Sequence, residues 1–145
     1  MKVLFLDRDG VINKDYGYVH KWEDFEIYSD VIESLKYALK KNFKIIIVTN
    51  QSGIARGIFD EKLFHKLMHK LKEYFHNNSI SLLDYYYCPH HPKGIIQKYK
   101  KNCMCRKPKP GMFLDAIQKH QISVKESIMI GDKLSDMEAA ETAGI

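Results

Sequence analysis

The chain has 145 residues, of which 45% are hydrophobic, with 23 lysine and arginine residues against 18 aspartate and glutamate residues. This composition is typical of one globular domain and excludes a disordered, fibrous or multidomain chain. The net charge of +5 favours an anionic partner without choosing among phosphorylated metabolites, nucleic acid and membrane surfaces. The amino terminus is too short in apolar residues for a secretory signal or a membrane span, so we expect a cytoplasmic protein.

Apolar runs alternate with amphipathic stretches along the chain. Four apolar runs predict strands, at residues 3–6, 43–48, 82–87 and 127–130. Four amphipathic stretches predict helices, which begin after Asp30, Asp60, Pro110 and Ser135. Asp60 and Ser135 are expected to cap the helices that they precede. Glu33 is a plausible capping partner of Asp30. The alternation predicts an α/β fold, a parallel sheet with helices on both faces, whose ligands bind at the carboxyl ends of the strands.

Polar residues follow three of the four predicted strands. Asp7 and Asp9 come directly after the first strand, Thr49 ends the second, and Asp132 follows the fourth. An isolated pair of aspartates before a glycine is about as often a structural turn as a functional one. Because the carboxyl ends of parallel strands meet at one edge of a sheet, the three segments together predict a single reactive cleft.

The segments DRDG, VTNQSG, RKPKPG and GDKLSD stand in that order along nearly the whole chain. In order and spacing they resemble the four motifs of the haloacid dehalogenase superfamily, whose fold is a Rossmann-like parallel sheet. The resemblance implies that Asp7 is a nucleophile forming an aspartyl-phosphate, and that Asp9 is the acid and then the base. It further implies that Thr49 and Lys107 hold the phosphoryl group.

A magnesium ion is the expected cofactor of this site, because displacement at an anionic phosphorus needs positive charge near the transferring oxygens. By resemblance, its ligands are Asp7, Asp132 and the backbone carbonyl of Asp9. Asp136 is left open: it either supports this site as a nearby carboxylate or is a polar residue in the first turn of the last helix.

All three cysteines lie within 18 residues, at Cys88, Cys103 and Cys105, with His90 and His91 close behind the first. Three thiolates and one imidazole make a closed tetrahedral Zn²⁺ site, which is structural because no position is left for substrate. Three ordinary buried cysteines are the alternative interpretation. The spacing leaves the choice between the two histidines open.

The pattern CPH followed by CxCRKP resembles the branch that contains D-glycero-D-manno-heptose 1,7-bisphosphate phosphatases and histidinol-phosphate phosphatases. That branch implies His90 as the fourth zinc ligand, within a zinc loop spanning 88–106. The long loop resembles the heptose version, which implies removal of the 7-phosphate in precursor synthesis for lipopolysaccharide or surface glycans. The resemblance also implies these substrate-binding residues: Asp15, Tyr16, Gly17, Tyr18, Asn50, Gln51, Ser52, Arg106 and Lys133.

Other interpretations of the sequence remain. A histidinol-phosphate phosphatase or a polynucleotide 3′-phosphatase would share the catalytic core. A zinc-stabilised nucleic-acid-binding module is suggested by the basic loop beside Tyr85, Tyr86 and Tyr87, but consecutive tyrosines on a strand point to alternating faces. His65 and His69 have the spacing of a metal pair, and we expect a solvated helix face instead.

We expect a monomer that acts on a small sugar bisphosphate, with no nucleic-acid or membrane partner. The chain stops directly after the fourth motif, whereas the family continues through at least one more strand and helix. We therefore expect a single domain over residues 1–145, truncated at its carboxyl end and with its fourth strand at a sheet edge.

Overall fold

Four parallel strands form one sheet in the computed structural model, which describes every residue from Met1 to Ile145. In chain order the strands are β1 (Val3–Leu6), β2 (Lys44–Asn50), β3 (Leu82–Cys88) and β4 (Ile128–Ile130). Their spatial order is β3-β2-β1-β4. β2 and β3 therefore lie on one side of β1, and β4 lies on the other. This reversal puts a crevice at the carboxyl ends of β1 and β4, where such sheets bind ligands.

The helices α1 (Val31–Lys40), α2 (Glu61–Asn77), α3 (Gly111–His120) and α4 (Leu134–Thr142) cover both faces of the sheet. Alternate residues of β1 serve the two faces: Leu4 and Leu6 pack toward α1 and α2, whereas Val3 and Phe5 pack toward α3 and α4. All four side chains are buried, as expected for a strand covered on both sides. The prediction of an α/β fold with a parallel sheet and helices on both faces is confirmed.

Two of the predicted helix caps are wrong. Asp60 does cap α2, because its Oδ1 accepts a hydrogen bond from the Leu63 backbone N–H at 2.8 Å. Asp30 makes no such bond: its backbone is already helical, whereas a capping side chain needs an extended backbone to reach back to the first turn. Ser135 lies inside α4, and Asp136 instead accepts from the backbone N–H of Lys133 at 3.0 Å.

The prediction of a solvated helix face holds only in part at His65, whose side chain is half-buried. Its ring nitrogens lie 2.8 Å from the hydroxyl of Tyr85 and 3.1 Å from that of Tyr87, so hydrogen bonds to two β3 side chains hold this histidine against the sheet. His69 is exposed, as predicted. Tyr85 and Tyr87 pack on one face of the sheet and Tyr86 on the other, which confirms the alternation expected of a strand. None of the helices has both the length and the apolar character needed to cross a membrane.

Candidate active site

A polar cleft of about 580 Å³ opens at the carboxyl edge of the sheet. Most of the site residues expected from the sequence line it: Asp7, Asp9, Asp15, Gly17, Tyr18, Asn50, Gln51, Ser52, Arg106, Lys107 and Lys133. Three expected residues lie just outside this lining. Thr49 is buried beneath it, Asp132 is exposed at its rim beside Asp7, and the hydroxyl of Tyr16 donates to Glu26 in a neighbouring pocket.

Asp7 lies buried at the end of β1, where it contacts Lys107. The lysine Nζ is 3.0 Å from Asp7 Oδ1, and the Arg8 backbone N–H donates to the same oxygen at 2.9 Å. Burial raises the pKa of Asp7 to about 6, because the attraction of Lys107 only partly offsets the loss of water and nearby Asp136 adds repulsion.

Lys107 is held in place by three oxygen atoms and by its own backbone. Besides Asp7, its Nζ contacts Asp136 Oδ1 at 2.6 Å and the Val48 carbonyl at 2.8 Å. The Asn50 side chain accepts from the Lys107 backbone N–H at 3.0 Å and donates to its carbonyl at 3.1 Å. Asn50, expected to bind substrate, thus uses both ends of its amide to fix the lysine.

Asp136 combines the two interpretations that the sequence left open. It is 1% exposed, its Oδ1 pairs with Lys107, and its Oδ2 accepts from the Lys133 backbone at the start of α4. No room exists for a β-carbon at Gly131, which lies against this carboxylate. Asp136 therefore caps the first turn of α4 and at the same time holds Lys107 beside Asp7.

Asp9 accepts hydrogen bonds from three side chains, two of which the sequence did not single out. Arg8 Nη2 and Asn13 Nδ2 donate to Asp9 Oδ1 at 3.0 and 2.9 Å, and Gln51 Nε2 donates to Oδ2 at 3.0 Å. Gln51 Nε2 also lies 2.9 Å from Thr49 Oγ1, so one amide connects the ends of β1 and β2. The sequence gives no sign that Arg8 is buried at the site, because an arginine between two aspartates is typical of an exposed turn.

The residues around Asp7 have the donor atoms that a hard cation prefers. Carboxylate oxygens of Asp7, Asp132 and Asp136 lie within 4.8 Å of one another. Gly10 has a φ of +89°, and a β-carbon there would overlap the Asp132 carboxylate. Both oxygens of Asp136 are already engaged, Oδ1 by Lys107 and Oδ2 by the Lys133 backbone N–H, whereas both hydrogen bonds to Asp7 fall on its Oδ1. Asp7 Oδ2 and the carboxylate of Asp132 are therefore the groups that can take a Mg²⁺ ion, for which oxygen ligands are suitable.

The three cysteines and His90 meet in a second cluster beside the cleft. Cys88 Sγ lies 3.0 Å from Cys105 Sγ and 3.5 Å from Cys103 Sγ, and His90 Nδ1 lies 3.2 Å from Cys105 Sγ. These separations are too long for a disulfide, and they approach the edge of a tetrahedron around zinc, about 3.8 Å for sulfur ligands at about 2.3 Å. The cluster therefore fits a closed four-ligand metal site.

His91 lies outside this cluster. Its Nδ1 accepts from the Lys93 backbone N–H at 3.0 Å, and its Nε2 lies 3.3 Å from Arg56 Nη2. The hydrogen bond that Cys105 shares with Cys88 lowers the pKa of the Cys105 thiol, which favours the thiolate form that a metal ion binds. The geometry thus favours His90 where the spacing alone left two candidates.

The zinc loop ends directly at the cleft. The Arg106 backbone N–H donates to Cys103 Sγ at 3.3 Å, so the cluster fixes the residue that precedes Lys107. Arg106 lines the cleft, and its Nη1 is buried without a hydrogen-bond partner. A buried guanidinium donor with no partner is costly unless an anion binds it.

A buried aspartate paired with a lysine, at the carboxyl edge of a parallel sheet and with further carboxylates in reach of a shared cation, characterises an α/β enzyme that acts on a phosphate group. Residues 2–144 match the model of the haloacid dehalogenase-like hydrolases. The chain therefore belongs to the haloacid dehalogenase-like hydrolases, and the prediction of a phosphatase from this superfamily is confirmed.

Relatives and solved structures agree with that membership. A D-glycero-alpha-D-manno-heptose-1,7-bisphosphate 7-phosphatase of Photorhabdus laumondii is 48% identical over 145 residues, which are 100% of this chain and 79% of that protein. A D-glycero-beta-D-manno-heptose-1,7-bisphosphate 7-phosphatase of Escherichia coli K12 is 45% identical over 142 residues, 98% of this chain and 74% of that protein. The D,D-heptose 1,7-bisphosphate phosphatase of B. bronchiseptica, solved with magnesium and phosphate, aligns with a TM-score of 0.88 and 30% identity over 99% of this chain and 77% of that one.

Proposed function

We propose that this enzyme is a Mg²⁺-dependent phosphatase that removes the 7-phosphate of D-glycero-D-manno-heptose 1,7-bisphosphate. The product, heptose 1-phosphate, would be the precursor of a nucleotide-activated heptose for lipopolysaccharide or related surface glycans. The observation that carries the proposal is the Asp7–Lys107 pair in a cleft that also holds the unpartnered Arg106. Relatives named for this reaction support it over nearly the full length of the chain.

Asp7, Asp132 and the backbone carbonyl of Asp9 would hold the magnesium ion. When bound, Mg²⁺ supplies positive charge next to the oxygens of the transferring phosphoryl group. Lys107, whose Nζ lies 3.0 Å from Asp7 Oδ1, adds a second positive charge, and its own position is fixed by Asp136. Two cations around one buried carboxylate reduce the repulsion between that carboxylate and an anionic phosphate.

In the first step, a carboxylate oxygen of Asp7 forms a bond to phosphorus as the bond from phosphorus to the sugar oxygen breaks. Asp9 gives its proton to that leaving oxygen. In the second step, water attacks phosphorus and gives a proton back to Asp9, and the bond between Asp7 and phosphorus breaks. Inorganic phosphate leaves and both carboxyl groups return to their starting states.

The remaining phosphate of the substrate has a suitable partner in Arg106. Its guanidinium can bind two phosphate oxygens at once, and Lys133 places a further cation in the same cleft. Asp15 and Tyr18 line the same cleft, where they can hydrogen-bond sugar hydroxyls. The expected substrate is therefore a small sugar that carries two phosphates.

The zinc site is part of the same proposal. Cys88, His90, Cys103 and Cys105 would bind one Zn²⁺ ion, and the ion would stabilise the loop that positions Arg106. No coordination position is left for substrate, so zinc has no part in the chemistry. That the enzyme works as a cytoplasmic monomer stays a prediction.

A substrate panel tests the proposed function. Phosphate release is measured on both anomers of the heptose bisphosphate, on histidinol phosphate and on a 3′-phosphorylated oligonucleotide, each with and without Mg²⁺. We expect turnover to be fastest on a heptose bisphosphate, to need Mg²⁺ and to vanish in Asp7→Asn. Asp115→Asn, which changes an exposed aspartate of α3, is the matched control and should leave activity unchanged.

Faster turnover of histidinol phosphate or of the oligonucleotide would contradict the proposed substrate and leave the catalytic assignment standing. Full activity of Asp7→Asn would contradict the nucleophile itself. Oligonucleotide binding that weakens with salt, survives in Asp7→Asn and comes without any turnover would favour the nucleic-acid interpretation.

A further inference from the structure

Arg8 is a completely buried arginine directly between the two catalytic aspartates, with 0% of its surface exposed. Apolar groups surround its guanidinium: Cζ lies 5.6 Å from the ring centre of Phe25 and 5.9 Å from that of Phe64, and Nη1 lies 4.0 Å from Met68 Sδ. Arginine keeps its charge in such surroundings, and a buried charge is stable only when it is paired. Its one carboxylate partner is Asp9.

The pairing is confined to one oxygen of Asp9. Oδ1 accepts from Arg8 Nη2 at 3.0 Å, from Arg8 Nε at 3.3 Å and from Asn13 Nδ2 at 2.9 Å. Oδ2 has a single contact, the Gln51 amide at 3.0 Å, and Gln51 itself lines the cleft. An oxygen that already accepts three N–H groups has no lone pair left for a proton, whereas Oδ2 does.

Arg8 also holds the end of the segment 15–18, of which Asp15, Gly17 and Tyr18 line the cleft. Its Nη2 donates to the Val19 carbonyl at 2.7 Å, directly after residues 15–18. One guanidinium therefore fixes both the Asp9 carboxylate and the end of this segment.

We infer that Arg8 is a positioning residue for the proton transfers: it fixes Asp9 Oδ1 and leaves Oδ2 as the atom that gives the proton to the leaving oxygen and takes one from water. This inference rests on the proposed function, in which Asp9 is the acid and the base. Arg8 touches neither the substrate nor the phosphorus, and its effect on the proton transfers passes through the Asp9 carboxylate. A purely structural arginine would instead affect every substrate alike.

The test compares esters that differ in their need for a proton. An alkyl phosphate leaves as a strongly basic alkoxide and needs the acid, whereas p-nitrophenyl phosphate leaves as a weakly basic phenolate and does not. The measured quantity is kcat/KM, which reports the steps through departure of the leaving group and is independent of the later attack by water. The variants are Arg8→Met, which removes charge and donors, and Arg8→Lys, which keeps the charge with a different donor geometry.

We expect Arg8→Met to lower kcat/KM by about 30-fold or more on the alkyl ester and by less than about 3-fold on p-nitrophenyl phosphate, since general acids contribute on the order of 10² to 10⁴. Arg8→Lys should show the same preference with a smaller loss, and it serves as the test if Arg8→Met does not fold. Met68→Leu disturbs the same pocket without touching Asp9 and should change both esters equally, by less than about 3-fold.

An equal loss on both esters, or no loss on either, would overturn the inference. A wild-type enzyme that hydrolyses the two model esters but not the heptose bisphosphate would contradict only the proposed substrate. A wild-type protein without Mg²⁺-dependent activity on any ester would overturn the proposed function and this inference together.

Discussion

Asp7 and Asp9 are two residues apart in the chain, but their carboxyl groups differ in burial and in hydrogen bonding. Asp7 is buried against Lys107 and Asp136, and the loss of water on burial has the largest effect on its pKa, which it raises. Asp9 keeps 20% of its side chain exposed and accepts hydrogen bonds from a buried guanidinium and two amides. Replacing each carboxyl by an amide should therefore change the free energy of unfolding in opposite directions.

Asp7→Asn is expected to raise the free energy of unfolding at pH 7.5 in Mg²⁺-free buffer, by up to about 3 kcal/mol. Folding raises the pKa of Asp7 from 3.8 to about 6, so between these values the folded state binds more protons than the unfolded state. Stability of the unmodified protein from this group is consequently full below pH 3.8 and is lost as the pH rises toward 6. Urea denaturation at pH 3.8 and 7.5 measures the difference between variant and unmodified protein, which should be present only at the higher pH.

Asp9→Asn is expected to lower the free energy of unfolding by about 3 kcal/mol, because it leaves the buried charge of Arg8 without a carboxylate. Urea denaturation measures the loss, and the double variant with Arg8→Met should recover part of it. Losses that simply add in the double variant would show that the two side chains do not interact.

At the scale of elements, the zinc loop joins β3 to the cleft and is held at two places. The cluster of three cysteines and His90 joins its two ends, and Glu61 at the start of α2 accepts from the hydroxyls of Tyr87 and Tyr99, both at 2.8 Å. Arg106 and Lys107 follow directly after the last cysteine, so the position of both cations depends on this loop.

Cys105→Ser is expected to lose bound zinc and to lower kcat/KM on the order of 10²-fold, because small displacements of a binding group are costly in rate. Met104→Ala is the matched control: Met104 stands between two ligands, is 63% exposed and should keep both zinc and activity. Metal content and turnover are measured on the same samples. A zinc-free Cys105→Ser enzyme with full activity would contradict the positioning role of the loop.

At the scale of the whole molecule, the sheet has a free apolar edge at β4. Its strand pairs only with β1, and Ile128 and Ile130 are 48% and 46% exposed. Together with Leu4, Leu6 and residues of α1 they line a groove of about 670 Å³. An exposed apolar edge strand favours pairing with other chains, so self-association is expected at high concentration.

Ile128→Lys is expected to reduce this self-association, because a charge on the edge strand opposes pairing with another edge. Ile95→Lys is the control, since Ile95 is also exposed, at 74%, but lies far from the groove in the zinc loop. Light scattering over a range of protein concentrations measures the effect. An equal decrease of self-association in the two variants would show that added surface charge, and not the edge strand, is responsible.

The sequence by itself determined the strands, the helices and the edge at which the reactive residues gather. Apolar periodicity and the order of the four motifs are local properties, and they placed Asp7, Lys107 and Asp132 correctly together. The sequence also favoured a functional over a structural interpretation of the Asp7–Asp9 pair, because three separate strand ends carried polar residues.

Only the tertiary structure showed which side chains are buried and which residues, distant in the chain, contact each other. It showed that Arg8 is buried, that His90 rather than His91 lies beside the three cysteines, and that Asp136 contacts both Lys107 and the backbone at the start of its own helix. Asp30 and Ser135 match the sequence pattern of a cap but do not cap, because backbone angles rather than residue type set that bond. Burial and hydrogen bonding depend on which segments meet in space, and no local pattern of residues contains that information.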